Sequence, residues 1–218
     1  MKNLIVIPAL ILSFIALPAF AETTSPLAGK VVALDAGHGG TDGGGATGYC
    51  AGVPVAEADV NSAVRALVKA KIDADGGLGY EVAQLSSRSD RVADAEGANS
   101  DVLISIHHNG STNTSANYTQ SFVTQKNDKV FASYIHPKIV SALGLTDKGI
   151  KNDGYGMTVY GSLPGVLTES FFITNENEAC DFLGARAHVQ AEAQAMYDGL
   201  VAYFSRTQSG GGGKGRNN

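Results

Sequence analysis

Residues 101–110 read DVLISIHHNG, an apolar run that ends in two adjacent histidines. Its length and apolar character fit a buried strand. On its N-terminal side, residues 30–35 (KVVALD) form a similar run. That run enters a glycine-dense stretch, AGHGGTDGGGATGYCAG, whose composition excludes regular helix or strand. A helical pattern follows over 56–73, with Val60, Val64, Leu67, Val68 and Ile72 three and four apart, and Gly76, Gly77 and Gly79 end it. A strand over 80–85 and a short helix over 90–99 lead back to DVLISI. The order strand, helix, strand, helix, strand predicts an α/β fold, a single domain with a mixed, mostly parallel sheet flanked by helices.

Beyond DVLISIHHNG the pattern predicts a strand over 118–124 and a helix over 128–145 that Pro137 kinks or interrupts. Short strands follow at 157–160 and 166–172. In the last helix Ala185, Val189, Ala193, Met196, Leu200 and Phe204 make one apolar stripe, which reads as core. The polar run NENEACD starts that helix, with Glu176 and Glu178 favoured at its positive end.

The first residues, MKNLIVIPALILSFIALPAFA, set Lys2 before an apolar stretch broken by Pro8 and Pro18 and closed by the small-x-small triplet Ala19-Phe20-Ala21. This is the pattern of a secretory signal over residues 1–21, cleaved before Glu22. A retained membrane anchor is the competing reading. Export predicts a periplasmic or extracellular protein with no stable membrane anchor after cleavage. Residues 22–207 then hold the domain, and 208–218, rich in glycine, are expected to be a flexible tail. The net charge is −5, and no basic run occurs except Lys214 and Arg216, which argues against a nucleic-acid partner. The two cysteines, Cys50 and Cys180, are expected to pair in an oxidising compartment, the alternative being two separate thiols.

Three apolar runs end in reactive side chains: VVALDAGH at His38, DVLISIHH at His107 and His108, and GVLTE at Glu169. In an open parallel sheet the carboxyl ends of the strands share one edge, where ligands bind. Glu57, at the start of the first long helix, follows the loop that begins at His38 and is a fourth candidate. Neighbours on a strand point to opposite faces, so one site uses one of the paired histidines and leaves the other outside. Two imidazoles and a carboxylate suit a catalytic zinc ion, and the same set admits other divalent metals.

Four segments carry a family resemblance: Asp35-Ala36-Gly37-His38-Gly39-Gly40, Glu57 to Asn61 (E-x-x-x-N), Ser105-Ile106-His107-His108-Asn109, and Leu167-Thr168-Glu169-Ser170-Phe171-Phe172. In this order they resemble the zinc-dependent N-acetylmuramoyl-L-alanine amidases of the bacterial cell wall, the amidase 3 type. The resemblance runs from about Lys30 to Phe204. It implies a zinc-dependent amidase/exopeptidase-like fold, one Zn2+ held by His38, Glu57 and His107, and Glu169 as the catalytic carboxylate. The implied substrate is peptidoglycan, cut between N-acetylmuramic acid and L-alanine by a monomer whose protein activator, if it has one, is unknown. His108 stands where the family often has a small residue, and a half-exposed place at the rim is expected for it. Asp35 is a candidate for orienting a ligand or for a structural hydrogen bond, and His136 and His188 read as structural or solvated. Residues 127–161 look like ordinary core elements rather than an inserted blocking helix. Two rival readings stay open, a zinc carboxypeptidase acting on wall peptides and a non-catalytic wall-binding relative.

Overall fold

The computed structural model describes residues 24–152 and 156–208, so the signal expected over 1–21 and nearly all of the tail lie outside the described residues. The run at 30–35 becomes β1 (Val31–Ala36). The glycine-dense stretch holds a short 3₁₀ turn (Gly40–Asp42) and then a hairpin of β2 (Thr47–Cys50) and β3 (Val53–Ala56), which corrects its reading as structureless. The hairpin escapes a composition argument because each strand is four residues long and buries a single residue, Gly48 in one and Val55 in the other. The long helix α1 (Glu57–Ala74) buries Val60, Val64, Val68 and Ile72, the stripe its spacing predicts.

Next come β4 (Leu78–Glu81), α2 (Arg88–Gly97), β5 (Val102–Asn109), β6 (Tyr118–Val123) and α3 (Lys126–Leu143). Pro137 does not interrupt α3. Both Pro137 and Ser133, whose carbonyl lacks the usual partner four residues on, face solvent. β7 (Thr146–Asn152) was not expected, because its sequence TDKGIKN has no apolar alternation and lies on a sheet edge. The strand expected over 157–160 is a 3₁₀ turn, Gly156–Val159. The chain ends in β8 (Gly165–Phe172), α4 (Glu176–Leu183) and α5 (Ala187–Gln208). NENEACD thus starts a separate helix. The Asp181 carboxylate accepts the backbone N–H groups of Ala187 and His188 and so starts α5 afresh after Gly184.

The six-stranded sheet runs in the order β4-β1-β5-β8-β6-β7, and only the β8–β6 pair is antiparallel. Alternation along β5 divides the core. Val102, Ile104 and Ile106 pack with Val64 of α1 and Met196 of α5, while Leu103 packs with Ala33, Val92 and Met157 on the opposite face. The same alternation carries His107 and His108 to opposite faces of the sheet. No described helix is long and apolar enough to cross a membrane.

Candidate active site

The parallel register of β5 and β8 sets His107 opposite Glu169, on one face and at one edge. His38 lies two residues beyond the end of β1, and Glu57 opens α1. Their side chains converge. The Nδ1 of His107 lies 3.0 Å and the Nε2 of His38 3.4 Å from Oε1 of Glu57. The two rings meet edge to face with centroids 4.9 Å apart. The second Glu57 oxygen, Oε2, accepts the N–H of Ala46 at 2.9 Å, and the Glu57 N–H returns a bond to the Ala46 carbonyl. That exchange fixes the carboxylate with Oε1 turned to both imidazoles.

Two glycines leave the room this requires. A Cβ on Gly37 would stand 2.1 Å from Nε2 of His107. One on Gly45 (φ 68°) would meet the Glu57 carboxylate and the His38 ring at 2.5 Å. The glycine-dense loop is shaped by the close approach of three side chains.

Burial alone would raise the Glu57 carboxyl, yet the hydrogen bonds from His107 and His38 outweigh it and hold Glu57 well below the ordinary carboxylate range. The hydrogen bond to Glu57 likewise raises His38 against the effect of its burial. The three candidate ligand atoms lie within 4.8 Å of one another. Two nitrogen donors around an ionised carboxylate, at this spacing, fit a divalent cation of the zinc type. The Oδ2 of Asp42 stands 3.2 Å from Nδ1 of His38, an ion-pair contact whose charge adds to the upward push on His38. Sequence reading missed Asp42. Its one signal was the spacing of four from His38, which becomes a contact only because Gly40–Asp42 is a helical turn.

Glu169 stands apart from this trio. It is 8% exposed, and its Oε2 is buried without a hydrogen-bond partner. Burial raises its carboxyl to about 7, with His107 and His38 pulling it down and Glu57 and Glu192 pushing it up. All four residues line a cleft of about 780 Å³, together with Arg88 and Thr112. A carboxyl near neutrality beside an imidazole–carboxylate cluster in a cleft is suited to proton transfer. α3 contributes no residue to the cleft lining; it packs against α5 and the sheet, as expected of a core helix.

The other candidates fall into place around the cluster. His108 is fully buried, which corrects the half-exposed position expected for it: alternation turns it toward α1 and α5, where Nδ1 meets Asn61 at 2.6 Å and Nε2 meets Glu192 at 2.9 Å. Asp35 binds no candidate ligand. It accepts bonds from Arg91 and Ser105, and Arg91 in turn donates to the carbonyls of Ala36 and His38, so its role is structural. His136 is held between Ser121 and Asp147, and His188 by Glu178, both as structural residues.

Cys50 and Cys180 form a disulfide with Cα atoms 4.8 Å apart, tying the β2–β3 hairpin to α4. It closes a loop of 130 residues. Reduction is expected to cost about 2–5 kcal/mol of stability. A lower denaturation midpoint in dithiothreitol than in buffer checks this, and two free thiols titrated in denatured, unreduced protein would show the pair is not formed.

Comparison with known proteins agrees with this geometry. The family profile described as N-acetylmuramoyl-L-alanine amidase matches residues 32–202. YqiI of Bacillus subtilis is 34% identical over 197 residues, covering 85% of this chain and 90% of YqiI. The N-acetylmuramoyl-L-alanine amidase LytC of the same organism is 31% identical over 190 residues, covering 84% of this chain, which spans only 37% of LytC. Among solved structures, the catalytic domain of CwlV, an N-acetylmuramoyl-L-alanine amidase from Bacillus (Paenibacillus) polymyxa, superposes with a TM-score of 0.72 at 28% identity, covering 81% of this chain and 98% of that one. The matched span holds all four motifs and the cleft they build, and the chain belongs to the N-acetylmuramoyl-L-alanine amidase family, amidase 3 type.

Proposed function

We propose that this chain performs its family's reaction, hydrolysis of the amide between N-acetylmuramic acid and L-alanine in peptidoglycan, with one zinc ion held by His38, Glu57 and His107 and with Glu169 as the general base. The observation that carries this reading is the pairing of a compact His–Glu–His cluster with a separate buried carboxyl on the adjacent strand. Zinc bound there supplies Lewis acidity, lowering the pKa of water from ~16 toward ~7 and stabilising negative charge on the amide oxygen. Glu169 takes the proton of the attacking water and returns it to the departing L-alanine nitrogen. The Ala46 N–H fixes the Glu57 carboxylate. The apolar strand residues beneath the cleft exclude water from the buried side of Glu169 and keep its carboxyl near neutrality.

The substrate places the protein outside the cytoplasmic membrane, in the periplasm or the medium. That agrees with a signal over residues 1–21 and with the disulfide. We further propose that residues 22–207 act as a monomer. Mass spectrometry of products from purified sacculi tests the reaction. Release of intact stem peptides beginning with L-alanine is expected. Shortened stems still attached to glycan would instead identify a peptidase using the same metal chemistry.

A further inference from the structure

We propose that Glu192, His108 and Asn61 form a buried relay of positioning residues that holds the His38 ligand in a backbone conformation it would not otherwise keep. The proposal rests on the zinc reading of the site and adds three residues that bind neither metal nor substrate.

His38 sits at φ 61°, a left-handed conformation costly for a residue with a side chain. Such strain persists only where the surroundings over-determine it. Here the carbonyls on both sides of the strained residue are tied down. Arg91 holds the carbonyls of Ala36 and His38 from the α2 side. From the α1 side, Nδ2 of Asn61 donates to the Gly37 carbonyl at 2.8 Å, and the Gly37 N–H is spent on Ile106.

Asn61 alone does not fix its own amide. Either end can point at Gly37, and only the Nδ2 end donates. Its two partners settle it together: the Gly37 carbonyl can only accept and so takes Nδ2, and Oδ1 then accepts from Nδ1 of His108 at 2.6 Å. His108 is held at its other nitrogen by Oε2 of Glu192, and Oε1 of Glu192 accepts the Ser170 hydroxyl at 2.5 Å. Asn61, His108, Ser170 and Glu192 are all fully buried, so no water competes for these bonds. The backbone N–H of His108 also donates to Oε1 of Glu57, which ties the same relay to a second candidate ligand. The chain of bonds therefore runs from α5, through β5 and α1, to the turn that presents His38. This gives the second histidine of SIHHNG a place in the site without making it a ligand.

Partners that orient metal ligands typically contribute roughly 10- to 100-fold in metal affinity. Asn61→Ala removes the donor to Gly37 and leaves the His108–Glu192 pair intact. Its zinc dissociation constant, measured by chelator competition, is expected to rise by about tenfold or more. In chelator-treated protein, backbone hydrogen exchange over residues 36–39 should speed up. The paired substitution His108→Leu with Glu192→Leu removes both buried polar partners together, which spares most of the stability, yet it frees the Asn61 amide and should weaken zinc as Asn61→Ala does. Glu192→Gln keeps a hydrogen-bonding partner at Nε2 and should bind zinc close to wild type. Affinity that follows melting temperature across the set, or wild-type affinity and exchange in folded Asn61→Ala, would overturn the relay. If the paired variant does not fold, Asn61→Ala carries the test. A wild-type protein that takes up no zinc would instead overturn the metal reading, and the exchange measurement in chelator would still decide whether the relay holds the turn.

Discussion

Replacing Glu169 with glutamine is expected to lower turnover by roughly 10²- to 10⁴-fold while zinc content and fold survive. Glutamine keeps the size of the side chain but cannot accept the proton of water, and Glu169 lies outside the three ligand atoms. The comparison is turnover of a muropeptide by zinc-loaded, folded variant and wild type; activity within a few-fold of wild type would remove Glu169 from the mechanism. A second readout follows from its raised carboxyl. Glu169 ordinarily titrates near 4.5 and in the folded, metal-free protein near 7. A carboxyl raised on folding favours the protonated state, so its contribution is fully present below about pH 4.5 and is lost as the pH rises through about 7. In chelator, wild type should therefore lose up to about 3 kcal/mol relative to Glu169→Gln between pH 4 and pH 8. Melting temperatures of the pair at both pH values check the sign. A constant difference between them would mean that folding leaves the titration of Glu169 unchanged.

The ligand assignment predicts the other large effect. His38→Ala, Glu57→Ala and His107→Ala should each purify with little or no zinc by plasma emission, since two remaining donors bind the ion far more weakly. Glu57→Ala should be the most severe, because it also removes the acceptor shared by both imidazoles and by the N–H groups of Ala46 and His108. His108→Ala behaves differently. It leaves all three ligands and should still fill with zinc at saturating metal, but it strands the buried Glu192 carboxylate, at a cost of about 3–5 kcal/mol. Full zinc in His107→Ala and none in folded His108→Ala would reverse the roles of the two histidines.

The contrast between those neighbours shows what can be read from a linear chain. The periodicity of VVALD, DVLISI and the stripe along residues 56–73 carried the α/β order, because a strand or helix buried on one side must repeat its apolar residues at the period of its geometry. Motif order carried the four site residues, since strand ends on a parallel sheet meet at one edge whatever their separation in sequence. Alternation also established that His107 and His108 face apart. What lay on the far side of β5 was not written locally. His108 is buried because Asn61 and Glu192, 47 and 84 residues away, meet its two nitrogens. β7 and the β2–β3 hairpin left little pattern because one is a largely exposed edge strand and the other is made of four-residue strands that each bury a single residue, too few to show an alternation. The identity of the candidate ligands was thus legible locally, at strand ends and a helix start. The orientation of those ligands came only with the tertiary structure, because each hydrogen bond that aims a ring or a carboxylate comes from a segment that only folding brings within reach.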